Sequence, residues 1–368
     1  MADRGLAAAI EPLEGVVSAL VEEWVALADE TGASPLVHPG FILAWRAAFE
    51  TPAGPGRDAQ LVLATARRDG RLAAALPLVR GRGMLVSPAN WHTPASGPIA
   101  RDAEAEQALA AGMAASGARR LRLLFLDRAS TVLLGEPARR AGFRVVEDTM
   151  MRSPYVEIEV GSEWEAFEAT LKKRARSDLR RLRRRLAERG EMTLEAVRDG
   201  ERVPTLLREL LEVEQRSWKG RSGTAIAQGA ATQRFYEELA RWAVPRGWLR
   251  LDALRLGGTA IAVSFALCGN GAFYGMKIGY DPRLANLGPG RVLLDDLVRR
   301  AFDERLERFE MLGDDTRYKR EWCNRSRERI ALRAFAPSAA GRATWLAYRY
   351  GRPTAGRLRD LRDAVRRG

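Results

Sequence analysis

Between Trp248 and Leu312 the hydrophobic period of the chain switches from strand-like to helix-like and back, which restricts the fold to a sheet that receives a helix in mid-course. Three strand-like runs, Trp248–Leu256, Thr259–Cys268 and Ala272–Tyr280, are linked by Gly257-Gly258 and Asn270-Gly271. Such two-residue turns favour positive φ and join antiparallel strands. A Gly-Pro-Gly turn at 288–290 follows. Val292, Leu293, Leu294, Leu297, Val298, Ala301, Phe302 and Leu306 then recur at helical spacing. Pro289 suits a first helical turn, where its missing N–H costs nothing. A strand at Phe309–Leu312 returns the chain to the sheet. The order predicts an α/β (α+β) fold, a mixed and mostly antiparallel sheet flanked by helices.

The rest of the second half fits that frame. A strand is expected at Tyr155–Val160 and one long helix at Glu163–Arg189, whose apolar stripe Phe167, Leu171, Ala175, Leu179, Leu182 and Leu186 runs along a basic rod. A strand near Met192–Val197, helices at Val203–Ser217 and Thr232–Ala243, a short helix at Tyr318–Trp322 and a strand at Ile330–Phe335 complete it. The first half reads as a second α/β unit. Helices are expected near Val16–Ala28, Pro39–Phe49, Ala103–Ala115 and Thr131–Ala141. Strands are expected at Gln60–Ala66, Arg71–Val79, Arg120–Leu126 and Phe143–Val146, with Ser87–Pro98 as a loop. The expected division is 1–150, 151–338 and a basic helical tail at 339–368, reasonable for 368 residues.

Composition narrows the chemistry. With 46% hydrophobic and 29% charged residues the chain can bury a core and stay soluble. The charge-free run 257–276 holds two glycine turns, so it reads as buried strands and not as a membrane span. Two cysteines, Cys268 and Cys323, form no disulfide framework and point to a reducing, cytoplasmic setting. Two histidines, His38 and His92, lie far from each other and from the cysteines, so no metal site is expected. Neither histidine sits in a hydrolase motif, and no Gly-x-Ser-x-Gly elbow is present. The net charge of +13 is local. Ten Lys/Arg against two acidic residues fall in 172–189, and eight Arg against two Asp in 341–368. Those two segments are suited to an anionic membrane face or to tRNA, or are simply solvated. No signature of sequence-specific DNA binding accompanies them.

Four constellations carry chemistry. Gly288 and Gly290, with Arg291 and Val292 behind them, open a helix whose N–H groups and dipole suit a pyrophosphate; the same residues make a plain strand-to-helix turn. Gly313-Asp314-Asp315 brings carboxylates beside Tyr318 and Lys319. Asp315 is placed to take a proton, Tyr318 to give one and Lys319 to balance developing charge, or else an Asp caps the short helix. Trp218 and Lys219 open a glycine-rich loop at 220–229 that either closes over a substrate or packs beneath a connection. Tyr274 and Lys277 share a strand but, three apart, point to opposite faces unless a bulge intervenes. The segment Asn90-Trp91-His92-Thr93-Pro94 either lines a cleft or is a structural loop.

The motifs SWKGRSGTAI at 217–226, GYDPRLANLGPGRVLL at 279–294 and LGDDTRYKREW at 312–322, with WVALADETGASPLVHPGFILAW at 24–45, resemble the GNAT superfamily of N-acyltransferases. The likeness covers about 20–340 and is greatest to a branch associated with cellulose and exopolysaccharide biosynthesis, with Fem-type transferases as cousins. It implies tandem GNAT-like domains, the first degenerate. It also implies acetyl-CoA or another acyl-CoA as donor and a small-molecule or glycan amine as acceptor. By this likeness the Gly288/Gly290 turn holds the CoA pyrophosphate, and Lys319 matches a lysine that relatives keep in a Tyr-Lys motif. Ala285 stands where the family usually has Gln or Arg. That departure is shared with Fem-type enzymes, which use aminoacyl-tRNA. A non-catalytic module bound to membrane or polysaccharide machinery is the remaining alternative.

Overall fold

A computed structural model describes residues 5–13, 18–49, 59–216 and 229–350. In chain order the elements begin with β1 (Leu6–Pro12), α1 (Ala19–Glu30), α2 (Pro39–Ala48), β2 (Gln60–Arg68), β3 (Arg71–Gly81), β4 (Met84–Val86) and β5 (Ile99–Ala100). Then come α3 (Ala103–Ala115), β6 (Arg120–Leu126), α4 (Arg128–Arg140), β7 (Arg144–Glu157), α5 (Trp164–Thr170), α6 (Lys173–Ala187), β8 (Met192–Val197) and α7 (Arg202–Arg216). The series ends with α8 (Ala230–Ala243), β9 (Leu249–Leu256), β10 (Thr259–Gly269), β11 (Ala272–Tyr280), α9 (Pro289–Asp303), β12 (Arg308–Glu310), α10 (Arg317–Arg320), β13 (Arg325–Phe335) and α11 (339–350).

Two compact units form, each discontinuous in sequence. One comprises Met1–Thr31, Pro52–Met150 and Arg329–Gly368; the other Gly32–Thr51 and Met151–Glu328. In the first, strands run in the order β1-β2-β3-β4-β6-β13, with β5 beside β3. Helices α3 and α4 cover one face, where Leu109, Met113 and Leu134 meet Leu76, Leu121 and Leu332. Asp102 and Asp127 cap these helices by accepting from the N–H groups of Ala105 and Ser130 at 2.8 Å.

In the second unit the order is β7-β12-β11-β10-β9-β8. All its pairs are antiparallel except β11 with β12. The expected meander forms, and Gly257, Gly258, Asn270 and Gly271 all take positive φ. One face of β10 and β11 packs on α5, α6 and α9 through Trp164, Leu182, Leu186, Val292 and Leu297. The other receives α7 and α8, with Tyr236 set edge-on to Phe265 at 5.0 Å. Helix α2 joins α8 here. Phe41 meets Phe235 at 5.4 Å, and a Cβ on Gly40 would fall 1.8 Å from the Trp242 ring nitrogen. His38 is structural: its Nδ1 accepts from Gly40 N at 3.1 Å, and its ring packs against both Trp242 and Trp248.

Several expected elements are corrected. The helix expected at Glu163–Arg189 is two, because Leu171 and Lys172 are extended at ψ 147 and 132. The strands expected at Phe143–Val146 and Tyr155–Val160 are one strand, β7. Strand β1 was not expected, and β4 and β5 border the stretch read as a loop. Within that stretch Asn90 Oδ1 accepts from His92 N at 2.9 Å, which builds a turn and leaves Trp91 88% exposed. Among the described residues no helix is long and apolar enough to cross a membrane.

Candidate functional site

The ladder between β11 and β12 is short. It pairs Ala272 with Arg308, Phe273 with Phe309 and Tyr274 with Glu310, and then ends, while β11 runs on to Tyr280. Beyond the last pair β12 has ended and that edge of β11 is unpaired with it. A cleft opens there, lined by Gly275 and Ile278 of β11, Leu294 and Leu297 of α9, Met311, and Tyr318 of α10. It is narrow and mainly apolar, a shape suited to an extended, flexible chain carrying one reactive group.

A bulge shapes its rim. Phe265 pairs with Lys277 and Ala266 with Gly275, so Met276 is an extra residue on β11. Tyr274 opposes Leu267 and Lys277 opposes Phe265, which places both on the face toward α7 and α8. The condition set by their spacing is therefore met. Lys277 Nζ lies 3.7 Å from a Glu214 carboxylate oxygen and 5.9 Å from the centre of the Tyr236 ring. Glu214 is 1% exposed. Sequence reading missed it, although a Glu on the buried stripe of α7, beside Leu210, Leu211 and Val213, was a usable signal.

The acidic turn is held by buried contacts. After β12 the backbone turns left-handed at Leu312 and Gly313, with φ of 48° and 63°. Non-glycine residues seldom adopt such a φ. The buried Lys319 ammonium donates to the Leu312 carbonyl and, at 3.0 Å, to that of Asp314. Ser153 Oγ donates to the Gly313 carbonyl at 3.1 Å. Thr316, not an Asp, occupies the cap position of α10, without a side-chain cap bond. Lys319 is thus tied to the turn and is absent from the cleft wall. Asp315 Oδ2 lies 3.2 Å from Arg320, while its Oδ1 is buried with no hydrogen bond among the described residues.

Tyr318 is 42% exposed overall, yet desolvation raises its hydroxyl above its ordinary pKa, offset in part by a hydrogen bond with Thr316. It therefore stays protonated at neutral pH. Burial likewise pushes the Cys323 thiol up to about 12, Lys319 only partly opposing, so this cysteine is no nucleophile at neutral pH. Glu310 was also missed. It is 1% exposed and sits 2.7 Å from Arg327, and a charge inside the apolar run FEML was its signal.

At the glycine turn, Gly288 takes φ +59°, and a Cβ there would lie 2.9 Å from Leu182 Cδ1. A Cβ on Gly290 would lie 3.1 Å from the Tyr280 ring. Both glycines are explained by packing. Pro289 has no N–H, and those of Arg291 and Val292 donate to the Gly288 carbonyl at 3.0 and 3.2 Å. The Gly290 amide is the one in this turn with no acceptor among the described residues. Val292 is buried in the core, and Arg291 pairs with Glu321 at 3.2 Å. Helix α6 runs alongside: Leu182 covers Gly288, Arg183 reaches Asp295 at 2.6 Å, and Arg185 donates to the Asn286 carbonyl at 3.4 Å. Lys172, Lys173, Arg174 and Arg180 are exposed. Trp218 and Lys219, and the tail beyond 350, lie outside the described residues.

Residues 173–320 match the acetyltransferase (GNAT) domain family, a match that supports an acyltransferase. No curated protein matches the sequence. Among solved structures it is similar to FemX, at 11% identity and TM-score 0.59, with 87% of this chain and 96% of that one covered. It is also similar to the C-terminal domain of a putative lysylphosphatidylglycerol synthetase from Agrobacterium fabrum, at 14% identity and TM-score 0.55, over 89% and 95% of the two chains. A conserved protein of unknown function from Bacteroides thetaiotaomicron follows at 11% identity and TM-score 0.52, over 88% and 99%. At these identities the likeness is one of fold.

Proposed function

We propose that this chain is an N-acyltransferase that moves an acyl group, acetyl in the simplest case, from a CoA thioester to an amine on a small molecule or amino sugar. One observation carries the reading: the β11–β12 ladder ends after Tyr274, and the apolar cleft beyond it ends at the Tyr318 ring. An extended thioester arm lies in that cleft, its carbonyl near the bulged β11 backbone at Gly275–Ile278. The amine nitrogen attacks the carbonyl carbon; the C–N bond forms and the C–S bond breaks. The amine proton passes to Asp315, directly or through water, and Tyr318 gives its proton to the departing thiolate. Lys319 positions the turn that presents both groups. Lys277, with Glu214 and Tyr274, borders the acceptor side.

The test is CoA release from acetyl-CoA with a panel of amines, amino sugars included. Tyr318→Phe is expected to lower kcat by ~100-fold with KM nearly unchanged. Unchanged turnover in that variant, or no acceptor-dependent CoA release by the unaltered chain, overturns the assignment.

One observation favours a second donor. The glycine turn offers a single amide, and α6, which carries exposed cations along its length, packs on it through Leu182, an arrangement suited to a donor whose phosphates are gripped by side chains, such as aminoacyl-tRNA. Salt-sensitive tRNA binding that disappears when Lys172, Lys173, Arg174 and Arg180 are neutralised would select it.

A further inference from the structure

In the first unit, three arginines gather on the sheet face turned away from α3 and α4. Leu121, Leu123, Leu332 and Ala334 belong to the core beneath those helices, so alternation puts Arg120, Arg122 and Arg333 on the opposite face. Arg122 and Arg333 are direct register partners across β6 and β13. Arg120 lies one pleat further along β6, opposite Phe335, with its guanidinium 5.3 Å from the centre of that ring. Like charges placed directly opposite on neighbouring strands repel.

Compensation is incomplete. Asp148 accepts from Arg333 and from the Tyr348 hydroxyl, and Arg333 also lies over the Tyr348 ring at 5.1 Å. Among the described residues the side chains of Arg120 and Arg122 make no hydrogen bond and no ion pair, and the Nε atom of each is buried. Burial, then repulsion from the neighbouring arginines, holds both below the ordinary arginine range. Unpaired cations that are half withdrawn from water are disfavoured unless something answers them. Among the described residues, three guanidiniums against one carboxylate leave two positive charges to be met.

We propose that Arg120, Arg122 and Arg333 form an oxyanion site that takes a phosphate group, built from residues that do not line the acyl-transfer cleft. A phosphate monoester carries roughly −1.5 to −2 at neutral pH, which matches the excess, whereas a carboxylate supplies half of it. Planar arginine forks bind phosphate oxygens in pairs. The Phe335 and Tyr348 rings hold two of the three forks in place. The phosphate belongs either to a soluble ester or to a lipid headgroup.

Thermal unfolding of the full chain in sodium pyrophosphate, against sodium chloride at equal ionic strength, is the first measurement. Pyrophosphate is expected to raise Tm saturably and chloride not to. Arg122→Gln is expected to weaken the pyrophosphate dependence ~10-fold or more, and Arg120→Gln serves if that variant does not fold. Arg291→Gln, in the other unit, is expected to keep the shift, which separates this site from the glycine turn. Sedimentation with vesicles containing phosphatidic acid, whose headgroup is a phosphate monoester, against phosphatidylcholine alone, identifies the source. Pelleting that depends on Arg122 assigns a lipid headgroup; a pyrophosphate shift without pelleting assigns a soluble phosphate. The proposal fails if pyrophosphate acts no better than chloride, or if neither readout depends on Arg122 or Arg120.

Discussion

The Lys319 ammonium donates to the carbonyl of Leu312, the residue at which the backbone turns left-handed on leaving β12. A cation therefore satisfies the Leu312 and Asp314 carbonyls of the turn that presents Asp315 and Tyr318, while the Ser153 hydroxyl meets that of Gly313. Lys319→Met keeps much of the side-chain volume and removes both bonds. It is expected to lower stability by about 2–4 kcal/mol, because charged-group hydrogen bonds are lost and the buried Leu312 carbonyl is left unmet. Urea unfolding measures it, and a change below about 0.5 kcal/mol would mean that the turn holds without the lysine.

What the sequence disclosed follows the physics of each signal. The meander was legible because Gly257-Gly258 and Asn270-Gly271 must take positive φ, a strictly local demand. The break between α5 and α6 was hidden because Phe167, Leu171, Leu179 and Leu182 are all buried, so the apolar stripe continues across it. Strand β1 is alanine-rich, and its exposed edge gives little alternation to detect. At the candidate site, the short helix that carries Tyr318 was legible by motif. The Met276 bulge and the Glu214–Lys277 pair depend on partners distant in sequence, and no local spacing encodes them.

Glu106 sits buried in the first turn of α3, and desolvation raises its carboxyl from 4.5 to about 7, a hydrogen bond with Ser130 only partly opposing. Between those values the folded state holds a proton that the unfolded state has released. The stabilisation is full below about pH 4.5 and is lost as pH rises through 7. Roughly 1–3 kcal/mol of stability is expected to disappear between pH 5 and 8. Glu106→Gln should flatten that slope and be the more stable form at pH 8. Equal slopes in urea titrations of the two proteins would remove Glu106 as the cause.

Glu214 and Lys277 form a buried pair 3.7 Å apart beneath Tyr236. Removing one partner leaves the other charge buried and poorly answered, so Glu214→Ala is expected to cost about 3–5 kcal/mol. Glu214→Ala/Lys277→Ala should cost less than the two single changes summed. A double-mutant cycle reads the coupling, and additive costs would mean that the two charges act independently.

Gly288 and Leu182 provide the sharpest test of how the glycine turn works. Two separate features oppose a side chain at 288: the backbone φ of +59°, and the Leu182 Cδ1 that would lie 2.9 Å from a new Cβ. Only the second is relieved by shortening the leucine. Gly288→Ala should cost about 1–3 kcal/mol from left-handed strain and crowding together. Leu182→Ala alone should cost about 2–5 kcal/mol, because it opens a cavity beneath α9. In the double variant the new methyl group occupies part of that cavity, so the combined loss should fall short of the sum by about 1 kcal/mol, with the φ strain remaining. A strictly additive result in urea unfolding would mean that α6 does not press on the turn. If phosphate approach, and not packing, is what requires glycine there, Gly288→Ala would instead cost only the left-handed strain, about 1 kcal/mol, and raise the KM for acetyl-CoA.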